Sequence, residues 1–334
     1  MSYVQALVPA EHASKHLLVL PEGAPASLPD LAGAWFADVG WLHEPVQESR
    51  PRRIAGARFR GVQSAAAPAA PPGPGRLSVG AEHCADGPFP VTADQVAHLG
   101  LTGPGQVWAL GRADGMVDVR GARPGTYDDR DGIARAFASA LPEGEELRLV
   151  QWAVAVARKV GGAVLADGRQ VMRPDPSGAV DLSLYSAHPV GAGDMLAALR
   201  TLVATAQLEA EETAPDGSTR YRLVGATPYD GALVVQAERV ERVPRALVTL
   251  DWREYGPFAY HLGWRPHDPY ELQVEQPSGV HVIARARMRS MVARLALLLH
   301  SRVHGTLVDD AGFVATAQEV GRRTDDAAPT RAWV

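Results

Sequence analysis

The sequence predicts an α+β protein of two similar halves, each a ferredoxin-like split βαβ unit with added hairpin strands, packed together as an intramolecular pseudo-dimer. Three observations predict it. An apolar-periodic helix, a glycine and two short strands around an Asp-containing turn occur twice, in LRLVQWAVAVARKVGGAVLADGRQV and in MRSMVARLALLLHSRVHGTLVDDAGFV. Gly162–Val171 aligns with Gly305–Val314 without a gap, and the glycine suits the left-handed residue that ends a helix before a hairpin. Second, LLVLPEGAPASLPDLAGAWF and LSLYSAHPVGAGDMLAALRT share a strand, a corner and a helix, pairing Leu17 with Leu182, Val19 with Leu184 and Leu31 with Leu196. Third, the offsets of the two matches are 165 residues (Leu17 to Leu182) and 143 (Gly162 to Gly305), so 22 extra residues belong to the first half. The segment SAAAPAAPPGPG, Ser64–Gly75, accounts for much of that excess, because its prolines preclude helix and strand interior.

The expected division is therefore a first repeat over 14–178 with an exposed Pro/Ala-rich loop at 64–75, a second repeat over 179–316, and a flexible tail over 317–334. In the first half, strands are expected near 16–20, 106–111 and 116–120, with helices near 27–38, 130–140 and 145–160. The second half reads as strand 181–187, helix 192–207, strands 220–225, 232–238 and 245–251, a long loop with a short strand near 270–275, helix 281–303 and hairpin 306–315. Alternating or continuous apolar runs mark the strands and the 3.6-residue period marks the helices. EAEETAPDGSTR, Glu209–Arg220, reads as a helix end followed by a turn.

Composition narrows the function. Hydrophobic residues are 46% and charged residues 21% of 334, enough apolar material for real cores. A formal net charge of −5 argues against general nucleic-acid affinity. Cys84 is the one cysteine, so neither an intrachain disulfide nor a cysteine zinc site is expected. No uninterrupted apolar run approaches the roughly 18 residues of a membrane span, and the N-terminus lacks a basic head and apolar core. The expectation is a cytoplasmic protein with no membrane association, no cofactor and no metal.

The catalytic signals are few. HPVGAGDMLAALRTLV, His188–Val203, resembles the catalytic corner of the ribokinase-like sugar and nucleoside kinases, a resemblance confined to about a dozen residues. It implies an anion hole at Gly191–Gly193 and Asp194 as the base on an acceptor hydroxyl. His188 and Leu199 depart from that family's small residues. The internal match to Pro21–Phe36 accounts for the same segment as a strand-to-helix corner, with Asp194 a first-turn acid favoured by the helix dipole. His300 and His304 stand at i, i+4, but Ser301 replaces the glutamate a metalloprotease needs. The arginines of 285–302 read as an outward, solvated helix face. Acidic doublets such as Glu145–Glu146 and Asp309–Asp310 read as turn and helix-start residues. Neither lysine, Lys15 or Lys159, lies in a phosphate loop.

DWREYGPFAYHLGWRPHDPY, Asp251–Tyr270, is the richest aromatic stretch, read as a Gly/Pro-broken loop of the kind that carries binding sites. The candidate ligand-binding residues are Trp252, Tyr255, Tyr260, His261, Trp264 and Asp194. The expected function is a non-catalytic binding or regulatory module for a partner protein or small-molecule ligand. The alternative is an enzyme whose site is assembled from scattered residues around the Gly-Ala-Gly-Asp corner.

Overall fold

The protein is described here by a computed structural model covering residues 7–24, 26–46, 73–121, 129–213 and 217–325. Two seven-stranded antiparallel sheets organise it. The first contains β1 (His16–Pro21), β2 (Val39–His43), β3 (Gly75–Val79), β4 (His83–Val91), β5 (Gly105–Arg112), β6 (Ala163–Ala166) and β7 (Gln170–Met172), in the order β2-β3-β4-β5-β1-β6-β7. Its helices are α1 (Leu28–Gly33), α2 (Ala93–Val96), α3 (Ile133–Ala136) and α4 (Gly144–Val160). The second sheet contains β8 (Leu182–Ser186), β9 (Gln207–Thr213), β10 (Thr219–Ala226), β11 (Ala232–Arg239), β12 (Phe258–Arg265), β13 (Thr306–Asp309) and β14 (Val314–Ala315). Read from β9, its order is β9-β10-β11-β12-β8-β13-β14, so every strand takes the place of the strand seven earlier in the first sheet. With it go α5 (Ala192–Arg200), α6 (Trp252–Tyr255), α7 (Gly279–Val303) and α8 (Ala317–Arg322).

β1 is the hub of the first half. Its run His-Leu-Leu-Val-Leu is buried throughout, the mark of a strand covered on both faces. Leu18 and Leu20 meet α1 and α4 in one core, with Trp152 at its centre donating to the Leu31 carbonyl at 3.0 Å. Leu17 and Val19 point the other way, into a second core with Val96 and Leu99. β5 and β6 both run antiparallel to β1 between them, and α4 connects the two. In the second half, β12 and β13 flank β8 in the same way, connected through α7. The far face of β8 and β12 is covered at Tyr185 and Ala259 by Leu247 and Tyr255.

The register corrects the match between the halves by one residue. Leu165 pairs with Leu17, and Val308, its counterpart by the 143 offset, pairs with Ser183. Leu18 therefore stands where Leu184 does, both facing the long helix. The match of Leu17 to Leu182 and Val19 to Leu184 puts opposite faces together, because side chains alternate along a strand. Leu31 likewise corresponds to Met195, each four residues after its helix N-cap and buried.

Several expected elements differ. Residues 116–120 are irregular, 245–251 holds a short 3-10 turn at Arg245–Leu247, and 270–275 holds another at Pro269–Leu272. The expected helices 27–38 and 130–140 contract to α1 and α3, and 192–207 ends at Arg200, followed by β9. The sequence does not announce β2, β3, β4 or β12. Ala317–Arg322 forms a helix with a Thr316–Glu319 capping box where a tail was expected; residues 326–334, like 64–72 of the Pro/Ala segment, lie outside the described residues.

The halves meet through specific groups. Trp35 donates to the Ala311 carbonyl at 2.8 Å and stacks on Phe313, so the tip of the second-half hairpin sits in the first-half core. Lys159 reaches Asp309 at 3.3 Å, and Arg158 lies 3.8 Å from Asp310. Arg285 is buried against Asp175 and Ser177 rather than on a solvated face. No helix among the described residues is long and apolar enough to cross a membrane.

Candidate functional site

The most concentrated set of buried ionisable groups lies in the first half, where β1 begins, α4 begins and the β6–β7 turn closes. That turn is Asp167–Arg169, closing Ala166 on Gln170, with Asp167 and Gly168 both at positive φ, a conformation that Asp and Gly tolerate. It turns the Asp167 backbone N–H onto His16 Nδ1 at 3.0 Å. His16 Nε2 lies 3.1 Å from Glu146 Oε1. Nδ1 accepts, so in the neutral ring Nε2 donates to the carboxylate.

Arg120 completes the cluster from the stretch after β5. Its Nε and one terminal nitrogen donate to Glu146 Oε1 at 3.0 and 2.6 Å, and its terminal nitrogens donate to both Asp167 oxygens at 2.6 and 2.7 Å. Phe137 backs the assembly, 4.9 Å from the guanidinium carbon and edge-on to His16. Burial alone pushes Glu146 up, but hydrogen bonds from His16 and Arg120 outweigh it and hold its carboxyl below the ordinary range.

The neighbouring Glu145 does the same for a second histidine. It accepts from the Ala81 and Glu82 backbones and lies 2.8 Å from His83 Nδ1, while His83 Nε2 lies 3.2 Å from Asp118. Both glutamates occupy the first turn of α4, where the helix dipole favours negative charge. Lys15 pairs with Asp86 at 2.7 Å, and Arg112 with Glu82 and Asp114. Above this floor opens a cleft of about 500 Å³, lined by Lys15, His16, Arg76, Arg112, Arg120 and Glu146 among others.

The ligating atoms of His16, Glu146 and Asp167 lie within 4.8 Å of one another, a spacing a metal ion uses. The positive charge between these carboxylates is the Arg120 guanidinium, and His16 Nδ1 is already taken by a backbone N–H. A metal would have to displace the guanidinium and take His16 through Nε2.

No family model, curated protein or solved structure matches this chain.

The six residues singled out from the sequence do not share one site. The middle of the aromatic stretch, Phe258–Arg265, is a central strand, β12, not a loop, and its residues alternate between faces. Tyr260 is buried; its hydroxyl donates to the His188 carbonyl and accepts from the Val190 N–H. Together with Gly191 and Ala192 it lines a cavity of about 390 Å³ at the start of α5, where Asp194 is exposed. Trp264 lines a different cavity, beside His281. His261 faces the other way, 2.8 Å from Ser183 Oγ. Tyr255 packs under Tyr185, and Trp252 is 59% exposed on α6. The Glu145–Glu146 doublet, read as a helix start, is also what anchors two buried histidines. The packing of α4 on β1 brings His16 to it, and no local motif records that.

Proposed function

We propose that this chain is a non-catalytic binding module whose ligand seat is the charged cleft of the first half. One observation carries the reading: His16, Arg120, Glu146 and Asp167 on the cleft floor are saturated by each other. Both His16 nitrogens are engaged and Arg120 is held by two carboxylates, so neither residue is free to act as a base or nucleophile. The lining also offers a ligand charge of both signs, Lys15 and Arg76 about Asp86, and Asp114 and Asp118 about Arg112. The volume falls within the roughly 300–1,000 Å³ of small-molecule sites. The ligand class is therefore a small polar molecule carrying both an anionic and a cationic group. The enzyme alternative has less support, since Asp194 lies exposed on α5 without a buried partner.

The same reading takes the chain as an internal duplication of a split βαβ unit acting in the cytoplasm. The seven-strand offset between the sheets supports the duplication, and β5–α4–β6 around β1 supports the split unit.

A thermal-shift screen of amino acids, betaines, sugar phosphates and nucleotides tests it. The expected result is stabilisation by zwitterions, by about 2.7 kcal/mol at a hundredfold excess over Kd, lost in Lys15→Ala/Arg76→Ala. Conversion of any such ligand to product by the wild type, absent in Glu146→Gln, would overturn the non-catalytic reading.

A further inference from the structure

A second, smaller cavity lies in the other half, where α7 begins beside the end of β12. It is about 190 Å³ and is lined by Tyr229, Asp230, Trp264, Asp268, Glu271 and His281 among others. Three features set its chemistry. Its carboxylates are Asp230, Asp268 and Glu271, and no lysine or arginine is among the lining residues. Its aromatic surface comes from Trp264 and from Tyr229, which is 80% exposed. His281 in its lining is only 6% exposed, lies tilted against Trp264 at 4.8 Å between ring centres, and keeps a buried Nε2 with no hydrogen-bond partner.

That orphan nitrogen is the independent sign of a ligand, because a buried polar atom left unpaired costs free energy that a bound group can recover. Burial, with Arg285 nearby, pushes His281 below its usual value. A neutral imidazole keeps one nitrogen as an acceptor. Arg285 does not compete for the cavity, since Asp175 and Ser177 hold it; Arg287 pairs with Asp230 Oδ1 at 3.3 Å and leaves Asp268 and Glu271 to a ligand. The Ser278 backbone N–H holds Glu271 ionised, its carboxyl pushed below the usual range.

We propose that this pocket seats a basic side chain, arginine or lysine, presented by a partner polypeptide. The carboxylates supply the charge, the rings supply cation–π faces, and His281 accepts one N–H. Size decides between a polypeptide and a free metabolite: the cavity is below the roughly 300 Å³ at which small-molecule sites begin, and it suits one side chain. Its lining agrees, because Tyr229 and Val280 stand exposed in it, as aromatic and apolar anchors do at protein interfaces. The proposal is independent of the first-half cleft.

The test is NMR titration of the full chain with the capped tripeptide Ac-Gly-Arg-Gly-NH2, following the Trp264 indole N–H assigned by through-bond experiments. A saturable shift of that resonance is expected, with an apparent Kd on the order of millimolar for a single anchor. The uncharged Ac-Gly-citrulline-Gly-NH2 should leave it unmoved. Asp268→Asn/Glu271→Gln, both changes at the surface, should weaken the arginine peptide about five- to tenfold while the rest of the spectrum is unchanged. An unmoved Trp264 signal, equal shifts from the citrulline peptide, or unaltered affinity in the double variant would each overturn the proposal. A zwitterion that binds only in the first-half cleft leaves Trp264 still, so the two readings fail separately.

Discussion

His16 Nε2 meets Glu146 Oε1 at 3.1 Å although 130 positions separate them, joining the first strand to the first turn of the longest first-half helix. Both are buried, Glu146 at 3% exposure. The carboxylate also accepts from Arg120, so its charge is compensated twice. Glu146→Gln leaves the guanidinium with Asp167 alone and gives His16 a weaker partner. Breaking a buried, hydrogen-bonded ion pair on one side should lower unfolding free energy by about 2–4 kcal/mol, measured by urea denaturation at pH 7. The folded carboxyl is held below its ordinary value, so its stabilisation is present above the unfolded pKa of about 4.3 and is lost as pH falls through the lower folded value. The variant should therefore show a shallower loss of stability between about pH 4.5 and the acid limit. An unchanged acid slope would count against the role given to Glu146.

Asp310 has the opposite sign. Burial pushes its carboxyl up, Arg158 opposes this and Asp309 adds to it. A raised folded pKa means that its stabilising contribution is present below the unfolded value, about 3.9, and is lost as pH rises through the folded one. At pH 7 the charge costs stability. Asp310→Asn should thus be as stable as the wild type or more so at pH 7, with the difference vanishing below the unfolded value. Arg158 keeps its partner Asp131 in the variant. Clear destabilisation at pH 7 would show that Asp310 is needed as an anion by Arg130 or Arg158.

Legibility in the sequence followed how local each signal is. α4, α7 and the two hairpins after them were readable, because helix period, glycine and Asp turn all fall within about 30 residues. β12 was not, since Gly256-Pro257 and Pro266 frame it like a loop although Tyr260, Leu262 and Trp264 keep a period of two. β9, Gln-Leu-Glu-Ala-Glu-Glu-Thr, is made largely of good helix formers; pairing with β10, with Glu209–Arg222 and Glu212–Arg220 across the ladder, overrides them. β4 carries Gly87-Pro88 where its register shifts, and a proline there reads as a break. The cleft was out of reach for a different reason: His16, Arg120, Glu146 and Asp167 lie on four separate segments, and only the tertiary fold assembles them.

Tyr260 tests whether the Gly-Ala-Gly-Asp corner is held by architecture. Its hydroxyl bonds the His188 carbonyl and the Val190 N–H at 2.8 and 2.7 Å, and Tyr221 donates to the Val190 carbonyl from the next strand but one. Tyr260→Phe removes two buried hydrogen bonds and should cost about 1–3 kcal/mol. Amide exchange at Val190 should quicken well before global unfolding, since the loss is local. Exchange that is unchanged there would mean the corner holds itself through α5 alone.

Gly162 and Gly305 offer the sharpest comparison between the halves. Each precedes the strand that pairs with the hub strand, β6 on β1 and β13 on β8. A Cβ at Gly162 would lie 2.3 Å from the Val19 carbonyl oxygen, and one at Gly305 would lie 2.1 Å from that of Tyr185. Val19 and Tyr185 are equivalent in the corrected register, so the two glycines serve the same purpose, letting the turn after the long helix come down on the hub strand. Gly305 adds a φ of +118°, a conformation that side chains other than glycine resist. Gly162→Ala should therefore destabilise by about 3 kcal/mol through backbone displacement, and Gly305→Ala by more, because strain adds to the clash. Chemical denaturation of the two single variants decides it. Tolerance of alanine at either site would break the equivalence of the two corners, and a larger loss at Gly162 would mean that the left-handed backbone, not the close approach, is the lesser constraint.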